Sequence, residues 1–222
     1  MKVYSYLAIA MASLVFLTFI LAGFSLKLTK LERGLCAGWV TAVSILSFFG
    51  VFEDFSGRPP AVVIFPAVIL VLLGWLIFSN RGQQIADQST LWVLAGVQSF
   101  RIILELLLHA LYGERLIPKL MTYEGNNLDI VYGASALLVA WLSFRAEKRI
   151  QKLVRIWNVI GIVFVCIATG IGIFSVPTFF QLFTEEPANR AVGMFPFTLI
   201  PAWLVPLALS LHVLSLRKKL TV

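Results

Sequence analysis

Charged residues are scarce in this chain, and their scarcity excludes most classes of water-soluble protein. Only 13% of the 222 residues are Asp, Glu, Lys or Arg, whereas 59% are hydrophobic and the mean hydropathy is +0.92. Soluble domains usually carry about 25% charged residues. The sequence also lacks any stretch that is long and polar enough for a second, water-soluble domain. We therefore expect a single transmembrane domain covering residues 1–222.

Residues that usually hold cofactors are equally sparse. The two cysteines, Cys36 and Cys166, both lie in apolar segments, and no zinc-type Cys/His spacing occurs. No lysine lies in the interior of an apolar segment, which excludes a retinal Schiff base of the rhodopsin type. A Gly-rich phosphate loop, a G-x-S-x-G elbow and an H-E-x-x-H motif are all missing. The sequence therefore predicts neither a cofactor nor a metal site.

Long apolar segments are what the chain has in abundance. Seven of them are long enough to cross about 30 Å of hydrocarbon. The predicted fold is an all-α bundle of seven transmembrane helices, with spans at about 3–26, 35–52, 60–79, 90–112, 128–145, 153–175 and 196–216. The first segment is too long for the apolar core of a signal peptide, so we expect it to be retained. The fourth is interrupted by Arg101 and Glu105, and its crossing needs separate support.

The distribution of basic residues supplies that support. With seven crossings, twelve of the 18 lysines and arginines fall on one side and five on the other, with Arg101 inside the membrane. If the fourth segment did not cross, eight basic residues would lie on the inner side and ten on the outer side. Because basic residues concentrate in cytoplasmic loops, we predict an external N-terminus and a cytoplasmic C-terminus. The net charge of +7 then reflects topology, and the expected partner is the lipid bilayer, not nucleic acid.

A polar stripe runs along the fourth segment. Its members are Gln98, Arg101, Glu105 and His109, extended outward by Tyr112. At about 100° per residue, the first four side chains fall within roughly 80° of one another on one helix face. Ionisable groups at membrane depth are costly and usually face a bundle interior or a wet cavity. The stripe is therefore the best candidate for a functional site.

Further polar residues are expected to meet the outer end of this stripe. They come from the loop before segment five, from its first turn, and from the long connection 176–195: Glu124, Asn126, Asp129 and Gln181. The connection is aromatic and acidic, and a loop of that length is typical of a lid. Together these residues predict a polar pocket that opens to the outer side, with Arg101 at its floor.

Several functions fit such a pocket. The favoured hypothesis is binding of a small polar or anionic ligand, for sensing or transport, with the planar guanidinium of Arg101 as the anion anchor. A membrane enzyme with Glu105 and His109 as acid and base is one alternative. Another is a structural subunit, in a homo-oligomer or with a partner membrane protein. In the simplest alternative, Arg101 and Glu105 only satisfy each other as a pair four residues apart.

The seventh segment carries two further features. Pro196, Pro201 and Pro206 are five residues apart and predict a distorted helix, whose freed carbonyl groups need other donors. His212 follows near the inner end, and we expect it at the membrane interface, beside the basic residues at 217–219.

Part of the chain also resembles a known family. The stretch QSFRIILELLLHALY and the following LIPKLMTYEGNNLDIVYG, together with PTFFQLFTEEPAN and FPFTLIPAWLVPLALSLHVLSLR, are similar to a family of uncharacterised bacterial polytopic membrane proteins. The resemblance covers most of the chain. It implies a seven-helix protein of the bacterial plasma membrane and carries no known activity.

Overall fold

The computed structural model describes residues 2–219, and within them the fold is entirely helical. Eight α-helices follow one another: α1 (Lys2–Ser25), α2 (Lys30–Phe48), α3 (Ile64–Phe78), α4 (Asn80–Gln88), α5 (Leu91–Val97), α6 (Phe100–Gly113), α7 (Asp129–Phe174) and α8 (Val205–Arg217). Short 3-10 turns lie at Ala61–Val63, Lys119–Met121 and Ala191–Gly193, and a π-helical turn, Ile200–Leu204, precedes α8. The predicted all-α class is confirmed.

Within residues 2–219, six helical segments are long and apolar enough to cross a membrane. They are Ser5–Ser25, Ala61–Phe78, Leu91–Gly113, Asp129–Ala146, Arg149–Phe174 and Ile200–Arg217. These coincide with six of the seven predicted spans, including the fourth. The predicted span 35–52 falls mainly in α2, whose first turn is charged, and α2 is not among the six. Helix length and composition therefore indicate a multi-pass membrane protein.

The segment α7 consists of two helices that form a hairpin. Its backbone is non-helical at Ala146, with φ −149° and ψ 44°. The rings of Tyr132 and Trp157 stack 4.4 Å apart, and the Tyr132 hydroxyl donates to the Trp157 carbonyl at 2.7 Å. A straight helix would separate these residues by roughly 37 Å. The two halves of α7 therefore run antiparallel.

The prolines of the last span distort it as predicted. Pro206 has no amide hydrogen, so the carbonyl group of Ala202 lacks its usual donor four residues on. The indole Nε1 of Trp39 in α2 donates to that carbonyl at 2.9 Å. The distortion takes the form of the π-helical turn Ile200–Leu204. The prediction that a freed carbonyl needs another donor is confirmed.

The helix α8 lies at the centre of the bundle. It packs against α3, α4, α5 and α7, and every residue from 206 to 215 is buried. The loop at 114–128 tucks into the end of the bundle where α6 ends, and Ile117, Thr122 and Asn127 are buried there. In the long connection, Ala188, Asn189 and Ala191 are buried while Phe179 is exposed. Both loops thus help to enclose the space beside α8.

Candidate functional site

A cavity of about 130 Å³ lies beside α8. Its walls come mainly from α3, α6, the second half of α7, and the segment from Phe197 to Ala208, and residues of the two loops at 114–128 and 176–195 complete them. The α6 wall consists of one helix face, Phe100, Arg101, Leu104, Glu105, Leu108 and Leu111. Most lining side chains are apolar, and four polar ones lie together: Arg101, Glu105, Asn127 and Asp129. Thr169 and Asn189 are the other polar residues of the lining. The sequence therefore builds an apolar cavity with one polar wall.

The stripe predicted from the sequence divides at the start of α6. Gln98 and Ser99 form 3-10 turns, because the amide groups of Arg101 and Ile102 bond to the carbonyls three residues back. Because of these turns, the side chains after Gln98 do not continue on the same helix face as Gln98. Gln98 is buried but points to α8, where its Nε2 donates to the carbonyl of Ala208 at 3.0 Å. Of the predicted stripe, only Arg101 and Glu105 line the cavity.

Arg101 is held by residues from other helices. It is 1% exposed, and its Nε and Nη2 donate to the two carboxylate oxygens of Asp129, the first at 3.0 Å. The guanidinium also lies 4.4 Å from the ring centre of Tyr132, an attractive cation–π position. Arg101 thus forms a two-point ion pair across helices, and not the pair with Glu105 that the simplest alternative assumed.

The guanidinium of Arg101 also contacts His212. Arg101 Nη1 lies 3.4 Å from His212 Nε2, and His212 Nδ1 lies 2.8 Å from Asn158 Oδ1. Arginine only donates, so Nε2 accepts and Nδ1 carries the proton, which makes the imidazole neutral. Asn158 then donates to Ser215 Oγ at 2.8 Å. His212 is fully buried, so its expected place at the membrane interface is wrong.

Glycine at position 161 makes room for this cluster. A Cβ atom there would overlap the hydroxyl of Tyr132 and Cε1 of His212. Both rings are fixed by their hydrogen bonds and by their contacts with Trp157. The second half of α7 can therefore approach α8 only with glycine at this position.

Glu105 is the least satisfied group of the polar wall. It is 1% exposed, and its Oε1 accepts from Asn127 Nδ2 at 2.7 Å. Within the part of the chain that the structure describes, Oε2 has no hydrogen-bond partner, and neither does Oγ1 of Thr169 on the α7 wall. Buried polar atoms are rarely left unpaired, because each costs about 1–3 kcal/mol. Both atoms belong to residues that line the same cavity.

His109 belongs to a separate, half-exposed cluster near the loop at 114–128. Its ring stacks on Tyr123 at 4.7 Å, its Nε2 lies 3.7 Å from Glu124, and Tyr112 lies nearby with ring centres 6.3 Å apart. None of these residues lines the cavity. The predicted acid–base pair of Glu105 and His109 is therefore not assembled within residues 2–219.

The remaining predicted site residues lie at different depths. Asn126 is exposed in the loop at 114–128. Gln181 is half-buried and donates to the carbonyl of Phe183 in its own loop at 2.9 Å, so it does not close over the polar wall. Asp129, expected near the outer rim, is only 6% exposed and forms the ion pair with Arg101. Among the predicted residues, the cavity thus unites Arg101, Glu105 and Asp129.

The sequence argument missed several residues of the site, among them Tyr132, His212 and Thr169. Tyr132 lies three positions after Asp129 on the same helix, a spacing that could have shown that both face Arg101. The surroundings of His212, LALSLHVLSL, are apolar on both sides, a pattern that could have indicated a buried histidine. Thr169 carried no signal that distinguishes it from other helical threonines.

The fold and the cavity define a multi-pass helical membrane protein with an internal cavity. The chain belongs to the family described as Domain of unknown function (DUF8737), whose model matches residues 59–219. That match includes every residue of the cavity walls. No curated protein and no solved structure matches the chain. The expected membership of an uncharacterised family is confirmed.

Proposed function

We propose that this protein is a seven-span protein of a bacterial plasma membrane, and that it binds a small ligand in the cavity beside α8. The N-terminus lies outside and the C-terminus in the cytoplasm. The ligand contacts the polar wall at Glu105, and its binding serves sensing or transport. A sensor of this kind would signal through a second copy or a partner membrane subunit.

The seventh crossing is α2. Its 19 residues extend roughly 28 Å, close to the thickness of the hydrocarbon layer. At its start, Glu32 pairs with Arg81 at 2.7 Å, beside the end of α3. Near its end, the hydroxyl of Ser47 lies 2.7 Å from that of Thr198, at the opposite end of the last span. These contacts support a helix that runs through the whole bundle.

Labelling of introduced cysteines from the external side tests this topology. After replacement of Cys36 and Cys166 by alanine, we expect a membrane-impermeant maleimide to label Ser56→Cys and Thr184→Cys but not Gln84→Cys or Glu147→Cys. All four should react once the membrane is permeabilised. Labelling of Glu147→Cys in intact cells would reject the seven-span arrangement, because the fourth segment would then fail to cross.

The unpartnered Oε2 of Glu105 is the observation that carries the binding proposal. An enclosed polar atom beside an empty volume is what a ligand group would satisfy. Arg101 is already engaged by Asp129 and His212, so it offers little to an anion. The arrangement therefore favours a ligand that donates a hydrogen bond over the anionic ligand expected from the sequence.

The two alternatives receive less support. An enzyme would need Glu105 and His109 together, but they belong to different clusters. A structural subunit that docks a helix on the stripe would need the stripe on the outer surface, but Arg101 and Glu105 are each 1% exposed. Ligand binding is the function that uses the buried polar wall.

Filling the cavity should abolish ligand binding. Gly172 lines the cavity, and a Cβ atom there meets only the end of the Met121 side chain at 3.6 Å, so Gly172→Leu fills the space. Gly170→Leu is the matched control, since a Cβ atom there has no neighbour within 4 Å. The measurement is mass spectrometry of organic extracts of the purified proteins.

We expect a small molecule near one equivalent in the wild type and in Gly170→Leu, and at least tenfold less in Gly172→Leu. Equal amounts in both variants would show that the molecule binds elsewhere and would reject the cavity as the site. Circular dichroism of the three proteins verifies that both variants are folded.

A further inference from the structure

We infer that the ligand is a small, mainly apolar amine that binds as a cation, with an N–H group that donates to Glu105. This inference rests on the proposed function and names the class of ligand. Three observations support it: the balance of charge in the cavity, the unpartnered oxygen of Glu105, and the size and apolar character of the remaining space.

The charged side chains that line the cavity do not balance one another. There are three of them, Arg101, Glu105 and Asp129. Arg101 and Asp129 neutralise each other, because both carboxylate oxygens of Asp129 accept from the guanidinium. Glu105 forms no ion pair within residues 2–219. One positive and two negative groups leave a net charge of −1 when Glu105 is ionised, so one further positive charge would balance the cavity.

No other element around the cavity supplies that positive charge. Neither α3, nor the second half of α7, nor the segment from Phe197 to Ala208, nor either loop contributes a Lys, Arg or His to the lining. Asn127 is neutral and donates to Glu105, and the neutral His212 contacts only the guanidinium of Arg101. An unpaired buried carboxylate is costly. Its charge is therefore balanced from outside the described chain, by a proton or by a cation.

A protonated amine suits Glu105 better than a proton or a metal ion. A proton on Oε2 would remove the charge, but its O–H group would find no acceptor among the described residues. A metal ion needs several ligands, and no group of three or more His, Cys, Asp or Glu side chains could hold one within residues 2–219. The N–H group of a protonated amine supplies both the positive charge and the missing hydrogen bond.

The rest of the cavity favours a small ligand with an apolar body. Only six of the lining residues are polar, and the others are mainly Val, Ile, Leu, Phe and Ala. A second polar group on the ligand would lose its hydration among these side chains without a partner. The cavity volume of about 130 Å³ is close to that of an apolar cavity of about 150 Å³ that binds benzene. The apolar part of the ligand is therefore about as large as one benzene ring.

Two probes of matched shape test the inference. Benzylamine is protonated at neutral pH, whereas benzyl alcohol is neutral, and both donate hydrogen bonds. The wild type in a nonionic detergent is dialysed until mass spectrometry detects no copurified molecule, and calorimetry then gives the affinity for each probe. We expect benzylamine to bind about tenfold more tightly or better, since a hydrogen bond between charged groups is roughly twice as strong as a neutral one. Gly172→Leu, which fills the cavity, should bind neither probe.

A variant of Glu105 separates recognition of the charge from apolar binding. Glu105→Gln keeps the shape and removes the negative charge, so the affinity for benzylamine should fall about tenfold while that for benzyl alcohol changes little. Glu114→Gln is the matched control, because this carboxylate lies at the end of α6 and outside the cavity lining. It should retain the wild-type preference. Binding of benzyl alcohol verifies that both variants are folded.

Three results would overturn the inference. Equal affinity of the wild type for the two probes would exclude recognition of a positive charge, and binding of neither probe would exclude an amine of this size. Both results come from the wild type and depend on no variant. An undiminished preference for benzylamine in Glu105→Gln would assign the charge recognition to another group. All three leave the proposed function standing, which fails only if Gly172→Leu and Gly170→Leu retain the same copurified molecule.

Discussion

Replacement of Asp129 by alanine should destabilise the protein by about 3–5 kcal/mol. Arg101 is 1% exposed and pairs with Asp129 through two hydrogen bonds, so the variant leaves a buried positive charge without its hydrogen-bonded counterion. The ring of Tyr132 and the neutral His212 stay in contact with the guanidinium but cannot neutralise it. Equilibrium unfolding in mixed micelles measures the change in the free energy of unfolding.

The double variant Arg101→Met/Asp129→Leu is the control for this prediction. It removes both charges and fills a similar volume, so most of the lost stability should return, as for other buried ion pairs replaced by apolar side chains. Asp129→Ala within about 1 kcal/mol of the wild type would contradict a buried ion pair and would indicate that water reaches Arg101. A double variant as unstable as Asp129→Ala would show that the cost arises from packing.

A single methyl group at Gly161 should destabilise the protein by about 2–4 kcal/mol. In Gly161→Ala the new Cβ atom overlaps Tyr132 and His212, which are fixed by hydrogen bonds to the Trp157 carbonyl and to Asn158. The helix must move away from α8, and at least one of those bonds is lost. The same unfolding measurement applies.

Gly170→Ala is the matched control, nine residues further along the same helix. No atom lies within 4 Å of a Cβ there, and alanine favours a helix by up to about 1 kcal/mol over glycine. We therefore expect unchanged or slightly higher stability. If the two substitutions had equal effects, the close approach of α7 to the Tyr132–His212 cluster would be refuted.

The helical spans could be predicted from the sequence, because a crossing requires only an apolar stretch that is as long as the hydrocarbon layer is thick. Six of the seven predicted segments coincide with helices long and apolar enough to cross, including the segment that Arg101 and Glu105 interrupt. The distortion of the last span was also predictable, since a proline frees a carbonyl group wherever it stands in a helix. The identity of the new donor, Trp39, was not, because it lies 163 residues away along the chain.

The candidate site was only partly predictable, and the reason is helical geometry. Side chains four residues apart drift by about 40° per step, so Arg101 and Glu105 share the cavity face while His109 turns away to stack on Tyr123. The 3-10 turns at Gln98 and Ser99 shift the stripe again at its inner end. Local periodicity therefore identified two cavity residues and overextended the stripe on both sides.

The sequence by itself determined that this is a helical membrane protein and that Arg101 and Glu105 lie on one helix face. Only the tertiary structure decided that Arg101 pairs with Asp129 and that His212 lies against it. Spacing along a helix specifies neighbours within that helix, whereas partners across helices depend on how the helices pack. The apolar character of the cavity was decided in the same way, because its walls combine residues from several separate parts of the chain.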